Sequence, residues 1–500
     1  MMQPLSRRSA LLLGGAGAAA AAAGAAGLLW GPGAGFQAAG GQDLNEPQAL
    51  HSAGGLLQLK LSAAPGRVRI AGRDATALSY NGSLPGPTLF LQAGDRLNVT
   101  LENRLEEVTN LHVHGLHVSP QGNSDNALLS IEPGTSFDYE YRLPANHPPG
   151  VFWYHPHRHG MVADQIFGGL YGAIVVQDPR PIPASRERVL VISDISLNAD
   201  GSITAVSAME KMMGREGELV LVNGQLNPRL AARPGERERW RIINACTGRY
   251  LRLRLDSQQL QLLGLDSGRH RTPRDVEEVL LAPGNRADLL VTAEVGTSVL
   301  RALPVNRGSM GSMMGGNGTT RSPASPDGTA LATFTVAGAP GAALAPVPEQ
   351  PAPRDLRAEP VTARRELVFA MGMGNNSSGS AGMGDGMGQG SGMMSFTING
   401  RPFDPARVDT TVPAGAVEEW TLKNTSPMDH PMHLHVWPMQ IIEQAGQPVD
   451  TPRWQDVVDI PARSNVRVRI AFDDFTGKTV YHCHILDHED SGMMGLIEAR

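Results

Sequence analysis

The chain has 500 residues, of which 41% are hydrophobic, 5% aromatic and only 18% charged, and its net charge is −6. That length supplies roughly two to four domains with real cores, and with no lysine or arginine stripe there is no electrostatic footprint for a nucleic-acid partner. Two cysteines cannot build a disulfide framework, so cysteine pairing says nothing about the redox compartment.

At the N-terminus, Arg7 and Arg8 precede an apolar run from Ala10 to about Trp30, dominated by Ala and Gly. This pattern reads as a twin-arginine export signal, with residues 1–42 as signal and N-terminal tail, and export would place the protein in the periplasm or outside the cell. A run of about 20 apolar residues is also long enough to anchor in a bilayer. The weak hydrophobicity of Ala and Gly argues against that, and no later segment competes, so the mature protein is expected to carry no stable membrane span.

Beyond the signal the chain repeats itself. An Asn-Gly turn is followed by a strand-like run, a Gly turn, and an Asn nine residues further on: Asn81-Gly82, Gly94, Asn103; Asn223-Gly224, Gly235, Asn244; Asn399-Gly400, Gly415, Asn424. Segments such as DRLNVTLEN, ERERWRIIN and AVEEWTLKN alternate with the period of half-buried strands. Three homologous β-domains follow, an all-β chain of antiparallel sandwiches rather than α/β units. Their expected bounds are 50–180, 185–338 and 366–500, with a Pro- and Ala-rich linker at 339–365.

The repeat locates the histidines. Nine residues after Asn103 stands His112, with His114 beyond it; nine after Asn424 stands His433, with His435 beyond it; nine after Asn244 are Leu253 and Leu255. Each outer domain also carries a later pair, His155 and His157, and His482 and His484. Residues two apart on a strand share a face, so four same-face pairs suffice for a three-metal cluster between the outer domains. The middle domain is then expected to be a spacer without metal.

Tyr481–Met494 adds a second centre. Cys483 lies between His482 and His484 and so points to the opposite face. A thiolate, two imidazoles and a distant thioether form a blue-copper electron-transfer site. Cys483, His488 and Met493 supply three of these, and the segment 430–435 offers the missing imidazole, with His430 on the opposite face from His433 and His435. Lone His51, His117, His147, His159 and His270 read as core or surface residues, and Cys246 as a small buried hydrophobe. Glu489 and Asp125 are candidates for delivering protons to bound oxygen, with structural hydrogen bonding as the plainer role; Asp429, beside His430, is a weaker candidate for contacting a reductant.

With LHVHG, WYHPH, HPMHLH and HCHILDHEDSGMM in place, the chain from about 50 to 500 resembles three-domain multicopper oxidases, the family of laccases and bacterial cuprous oxidases. The resemblance implies three cupredoxin-like Greek-key sandwiches and four copper ions. By position, His430, Cys483, His488 and Met493 would hold the type 1 copper and His112 and His433 the type 2 copper. The binuclear type 3 pair would fall to His114, His155, His157, His435, His482 and His484. Val113 stands where many members have Trp, and it touches no ligand. The implied chemistry is four one-electron oxidations at the type 1 copper, with electrons leaving through Cys483 into His482 or His484 and reducing dioxygen to two waters. Chain reach sets that path at roughly 12 Å.

The reductant is open between cuprous ion and a small phenol. Two Gly-, Ser- and Met-rich stretches, 308–318 and 371–394, offer soft thioethers that favour Cu(I), although such composition also suits a plain flexible loop. A non-enzymatic copper store would need no complete cluster set.

Overall fold

Each copy of the repeat folds on the same polar clamps. Asn81, Asn223 and Asn399 sit at φ of 55°, 51° and 52°, and the glycines after them at 73°, 74° and 72°, the paired left-handed conformation that a tight two-residue hairpin turn requires. Their side-chain oxygens accept from the backbone N–H of Ser62, Val191 and Val368. The later asparagines, Asn103, Asn244 and Asn424, are buried and each donates to two carbonyls across the following loop. An unpaired buried amide is costly, which gives the recurring Asn its physical reason.

The structure, a computed structural model, describes residues 36–308, 326–373 and 394–500. Residues 1–35 of the proposed signal and N-terminal tail (1–42), and most of the two Met-rich stretches, 309–318 and 374–393, lie outside the described residues. Among the described residues no helix is long and apolar enough to cross a membrane.

Six sheets form three cupredoxin-like β-sandwiches, each closing on its own apolar core. Strand Arg96–Asn103 shows the logic: Leu97, Val99, Leu101 and Asn103 are buried while the residues between them are not. The sandwiches expected from sequence are present, and their sheets are mixed rather than all antiparallel. Leu56–Ile70 runs parallel to Arg96–Asn103, Arg186–Ile195 to Arg237–Asn244, and Ala363–Met373 to Val417–Asn424. The reason is connectivity: between the members of each pair the chain crosses to the opposite sheet, through Thr88–Leu91, Arg229–Ala232 or Thr410–Val412, and returns in the same direction.

The histidine strands take equivalent places. In the third sandwich one sheet runs Thr410–Val412, Met494–Ala499, Gly477–Cys483, His430–Leu434, Val457–Ile460, and in the second the matching position of His430–Leu434 is filled by Leu251–Leu255. Leu253 and Leu255 are buried in that core. Strand register pairs His433 with His482 and Met432 with Cys483, and in the first sandwich His112 with His155. Directly opposed residues share a face, so the histidines gather on one side of the sheet and Cys483 faces the other.

The middle sandwich does more than separate its neighbours. Its short helix Ala208–Met213 reaches the third sandwich, where the Met212 carbonyl accepts from His488. Its Arg215 clamps Asp487 with Nε and Nη2 and is buried with it. Leucines thus stand in the middle sandwich where its neighbours carry histidines, and its polar side chains and carbonyls reach into the third sandwich, where they satisfy buried polar groups.

Candidate metal centre

Burial of so many imidazoles decides their chemistry. Desolvation pushes His157 and His482 down to about 4 and His430 to about 3, and pushes His112, His114, His155, His433, His435, His484 and His488 well below the usual histidine range, with neighbouring histidines adding to most of these shifts. Each ring is therefore neutral near pH 7 and offers one lone pair.

Outward hydrogen bonds select which nitrogen carries it. His112 Nδ1 lies 2.9 Å from Asp125 Oδ1, His433 Nδ1 lies 2.8 Å from the Asp456 carbonyl, and His155 Nδ1 lies 2.8 Å from the Pro156 carbonyl. His114 does the reverse, with Nε2 at 3.1 Å from Asp456 Oδ1. The remaining nitrogens converge. Nε2 of His157 lies 3.0 Å from that of His482 and 3.1 Å from that of His435, and His155 Nε2 lies 3.5 Å from His114 Nδ1. Among the described residues, Nε2 of His112, Nε2 of His433 and both ring nitrogens of His484 are buried with no partner.

Lone pairs facing one another at such distances repel unless a cation lies between them. The donors fall into groups of His114, His155 and His484; His157, His435 and His482; and His112 and His433, the last with His114 close by. All come from the first and third sandwiches. The arrangement fits a cluster of borderline metal ions bound by imidazole.

On the other face, Cys483 Sγ lies 3.4 Å from His430 Nδ1 and 3.8 Å from His488 Nδ1. Ser426 Oγ, 2.7 Å from His430 Nε2, turns Nδ1 of that ring inward, and the Met212 carbonyl, 3.1 Å from His488 Nε2, does the same for His488. Phe396 stacks on His488 with centroids 4.6 Å apart. Met493 is buried in the same core, with its N–H on the His488 carbonyl and its carbonyl accepting from Cys483. Burial drives the thiol upward from its ordinary value, so the thiolate requires a bound cation.

The two carboxyls singled out from sequence border the histidine cluster. Burial pushes Asp125 up to about 8, while its hydrogen bond from the Val113 N–H works the other way. Glu489 Oε2 stands 3.0 Å from His482 Nδ1, whose aligned partner is instead the Cys483 carbonyl at 3.1 Å, and burial pushes this carboxyl up to about 7. Asp429 is half-buried and accepts from the Ala462 N–H. His117, His147 and His159 are outside both groups: His117 faces the Val436 carbonyl, His147 the Pro148 carbonyl, and His159 packs on Phe403. His51 stacks on Phe90, His270 is half-buried, and Cys246 is buried. Sequence reasoning missed Asp456 and Met212, which meet His114 and His488 across long chain separations, and it missed Ser426, four residues before His430 and two after a repeat Asn, which alone of the three carried a local signal.

Sandwiches of this type, with imidazoles gathered between the outer two and a cysteine–histidine group behind them, define a copper-dependent oxidoreductase. Multicopper oxidase family models match residues 63–181, 191–336 and 378–500. The chain belongs to the multicopper oxidase family. It is 27% identical to the multicopper oxidase mco of Staphylococcus haemolyticus over 85% of this chain and 84% of that one, and 26% identical to a laccase of Bacillus subtilis over 83% and 88%. Among solved structures, a multicopper oxidase from Campylobacter jejuni described as a metallo-oxidase superposes with a TM-score of 0.79 and 28% identity, over 94% of this chain and 98% of that one.

Proposed function

We propose that the protein is a cuprous oxidase serving copper tolerance, with four copper ions and dioxygen as acceptor. In this reading His430, Cys483, His488 and Met493 hold the type 1 copper, His112 and His433 the type 2 copper, and His114, His155 and His484 with His157, His435 and His482 the type 3 pair. Bound copper supplies one-electron redox chemistry, so that four electrons and four protons convert dioxygen to two waters. Cys483 and its neighbours His482 and His484 join the two sites through one strand end. Asp125 beside His112 and Glu489 beside His482 hold the protons that the reduction consumes. The Arg7-Arg8 sequence supports export, and with it a periplasmic or extracellular setting.

The observation that carries the choice of reductant is the helix Ala208–Met213, sequence AMEKMM, which covers His488. Met209 on it is 54% exposed, and Met212 packs against the core of the copper sandwich together with Met371 and Met394, which flank the second Met-rich stretch. The first stretch starts at Gly308, bridged to Met428 two residues before His430. The thioethers of Met212, Met371 and Met394 on this one core suit a soft monovalent ion. The metallo-oxidase description of the Campylobacter jejuni structure is in keeping with this.

The test is oxygen uptake by copper-loaded protein with cuprous ion or a simple phenol as reductant, in wild type, Met209→Leu and a deletion of 371–394. Selective loss of cuprous oxidation in the two variants is expected. Dominant phenol oxidation that the deletion leaves equal or faster would make the protein a laccase-like oxidase instead.

A further inference from the structure

Arg286 of the middle sandwich touches all three sandwiches. Arg286 is fully buried; its Nε donates to the Val151 carbonyl of the first sandwich at 3.1 Å, and its Nη1 and Nη2 donate to Asp456 Oδ1 and Oδ2 of the third at 2.5 and 2.7 Å. Asp266 of its own sandwich accepts from its backbone N–H at 2.9 Å and flanks Nη1 at 3.2 Å. The guanidinium lies over the Phe152 ring, 5.6 Å from its centre. Gly115, which follows His114, leaves it room: a Cβ there would stand 2.4 Å from Arg286 Nη2.

We propose that Arg286 is a positioning residue for the histidine cluster, acting through Asp456. Both oxygens of that carboxylate accept from the fork, and Oδ2 also accepts from Ser267 Oγ at 2.9 Å. An acceptor-only carboxylate obliges the facing His114 Nε2, at 3.1 Å, to carry its ring proton. His114 Nδ1 is thereby left as a lone pair aimed at His155. The same Asp456 holds His433 by its carbonyl at 2.8 Å, so a single bidentate clamp from the domain without histidine ligands orients rings of two donor groups. A lysine in its place keeps the charge but lacks the planar fork, and it cannot hold both oxygens and the Val151 carbonyl together.

The inference rests on the reading of these histidines as copper ligands, and the experiment separates the two. Copper bound per chain is measured against a graded competing chelator, with the blue absorption of the cysteine site and the paramagnetic resonance signal of the cluster recorded at each step. Wild type, Arg286→Lys and Arg239→Lys are compared. Arg239 forms a similar buried bidentate pair, with Asp288, and touches no histidine. The expected result is cluster affinity weakened about 10–100-fold in Arg286→Lys, with the blue absorption retained and Arg239→Lys like wild type. Asp456→Asn, close in shape, should reproduce the selective loss if Arg286→Lys does not fold. Unchanged cluster affinity overturns the proposal, and so does parallel loss of cluster and blue site, which marks general destabilisation. A wild type that binds no copper at the cluster would refute the ligand reading itself.

Discussion

Substituting Gly284 by Ala tests how tightly the middle sandwich supports the cluster. Gly284 has a φ of +88°, and a Cβ there would stand 2.9 Å from three ring atoms of His484. The ring has little retreat, since the His484 N–H is fixed to the Pro431 carbonyl at 2.6 Å and His114 packs edge-on at 4.9 Å between centroids. The left-handed backbone costs about 1–2 kcal/mol for a residue with a Cβ, and overpacking adds about 1–3 kcal/mol. Gly235 provides the control, because its φ is +78° with nothing within 4 Å of the added Cβ. Gly235→Ala carries only the backbone cost. Scanning calorimetry should place Gly284→Ala about 2–12 °C below Gly235→Ala at an ordinary domain size, and copper titration should show weaker cluster loading in Gly284→Ala alone. Coincident melting and equal copper content in the two variants would refute the claimed contact between Gly284 and His484.

Cys483→Ser should abolish the blue absorption and the oxidase activity while the histidine cluster, on the other strand face, keeps its copper; metal analysis with absorption spectra decides this. Glu489→Gln, which removes a buried titratable carboxyl, should leave copper content unchanged and lower turnover by about 10²–10⁴-fold if the group moves protons, and steady-state oxygen uptake reads the result. Asp288 tests acid stability. Burial alone would raise its carboxyl, but Arg239, Arg269 and Arg241 outweigh it and hold it well below the usual range. A folded-state value below the unfolded one contributes stability that is full above about pH 4 and declines as pH falls below it. The melting advantage of wild type over Asp288→Asn should therefore shrink between about pH 4 and pH 2 and be constant above.

The parts legible in the sequence were those encoded within a few residues. Period-two alternation placed Arg96–Asn103, Arg237–Asn244 and Val417–Asn424, and the nine-residue step from Asn to His or Leu located equivalent strands because each Asn pins the same turn. Face assignment followed from the same periodicity, which separates Cys483 from His482 and His484 and also His430 from His433. Parallel strand pairing was not legible, since it depends on where the chain crosses between sheets. Nor were the partners that orient the rings: Arg286 and Asp456 are 170 residues apart, and Met212 and His488 276. No local pattern marks such pairs, because only the packed interface brings them together.

Diffraction from copper-loaded crystals at energies on either side of the copper absorption edge would locate the metal ions in both centres. An anomalous peak is expected among Cys483, His430 and His488, and three more between the first and third sandwiches, one for each of the three histidine groups. Copper at the cysteine site alone, or peaks away from these nitrogens, would contradict that expectation.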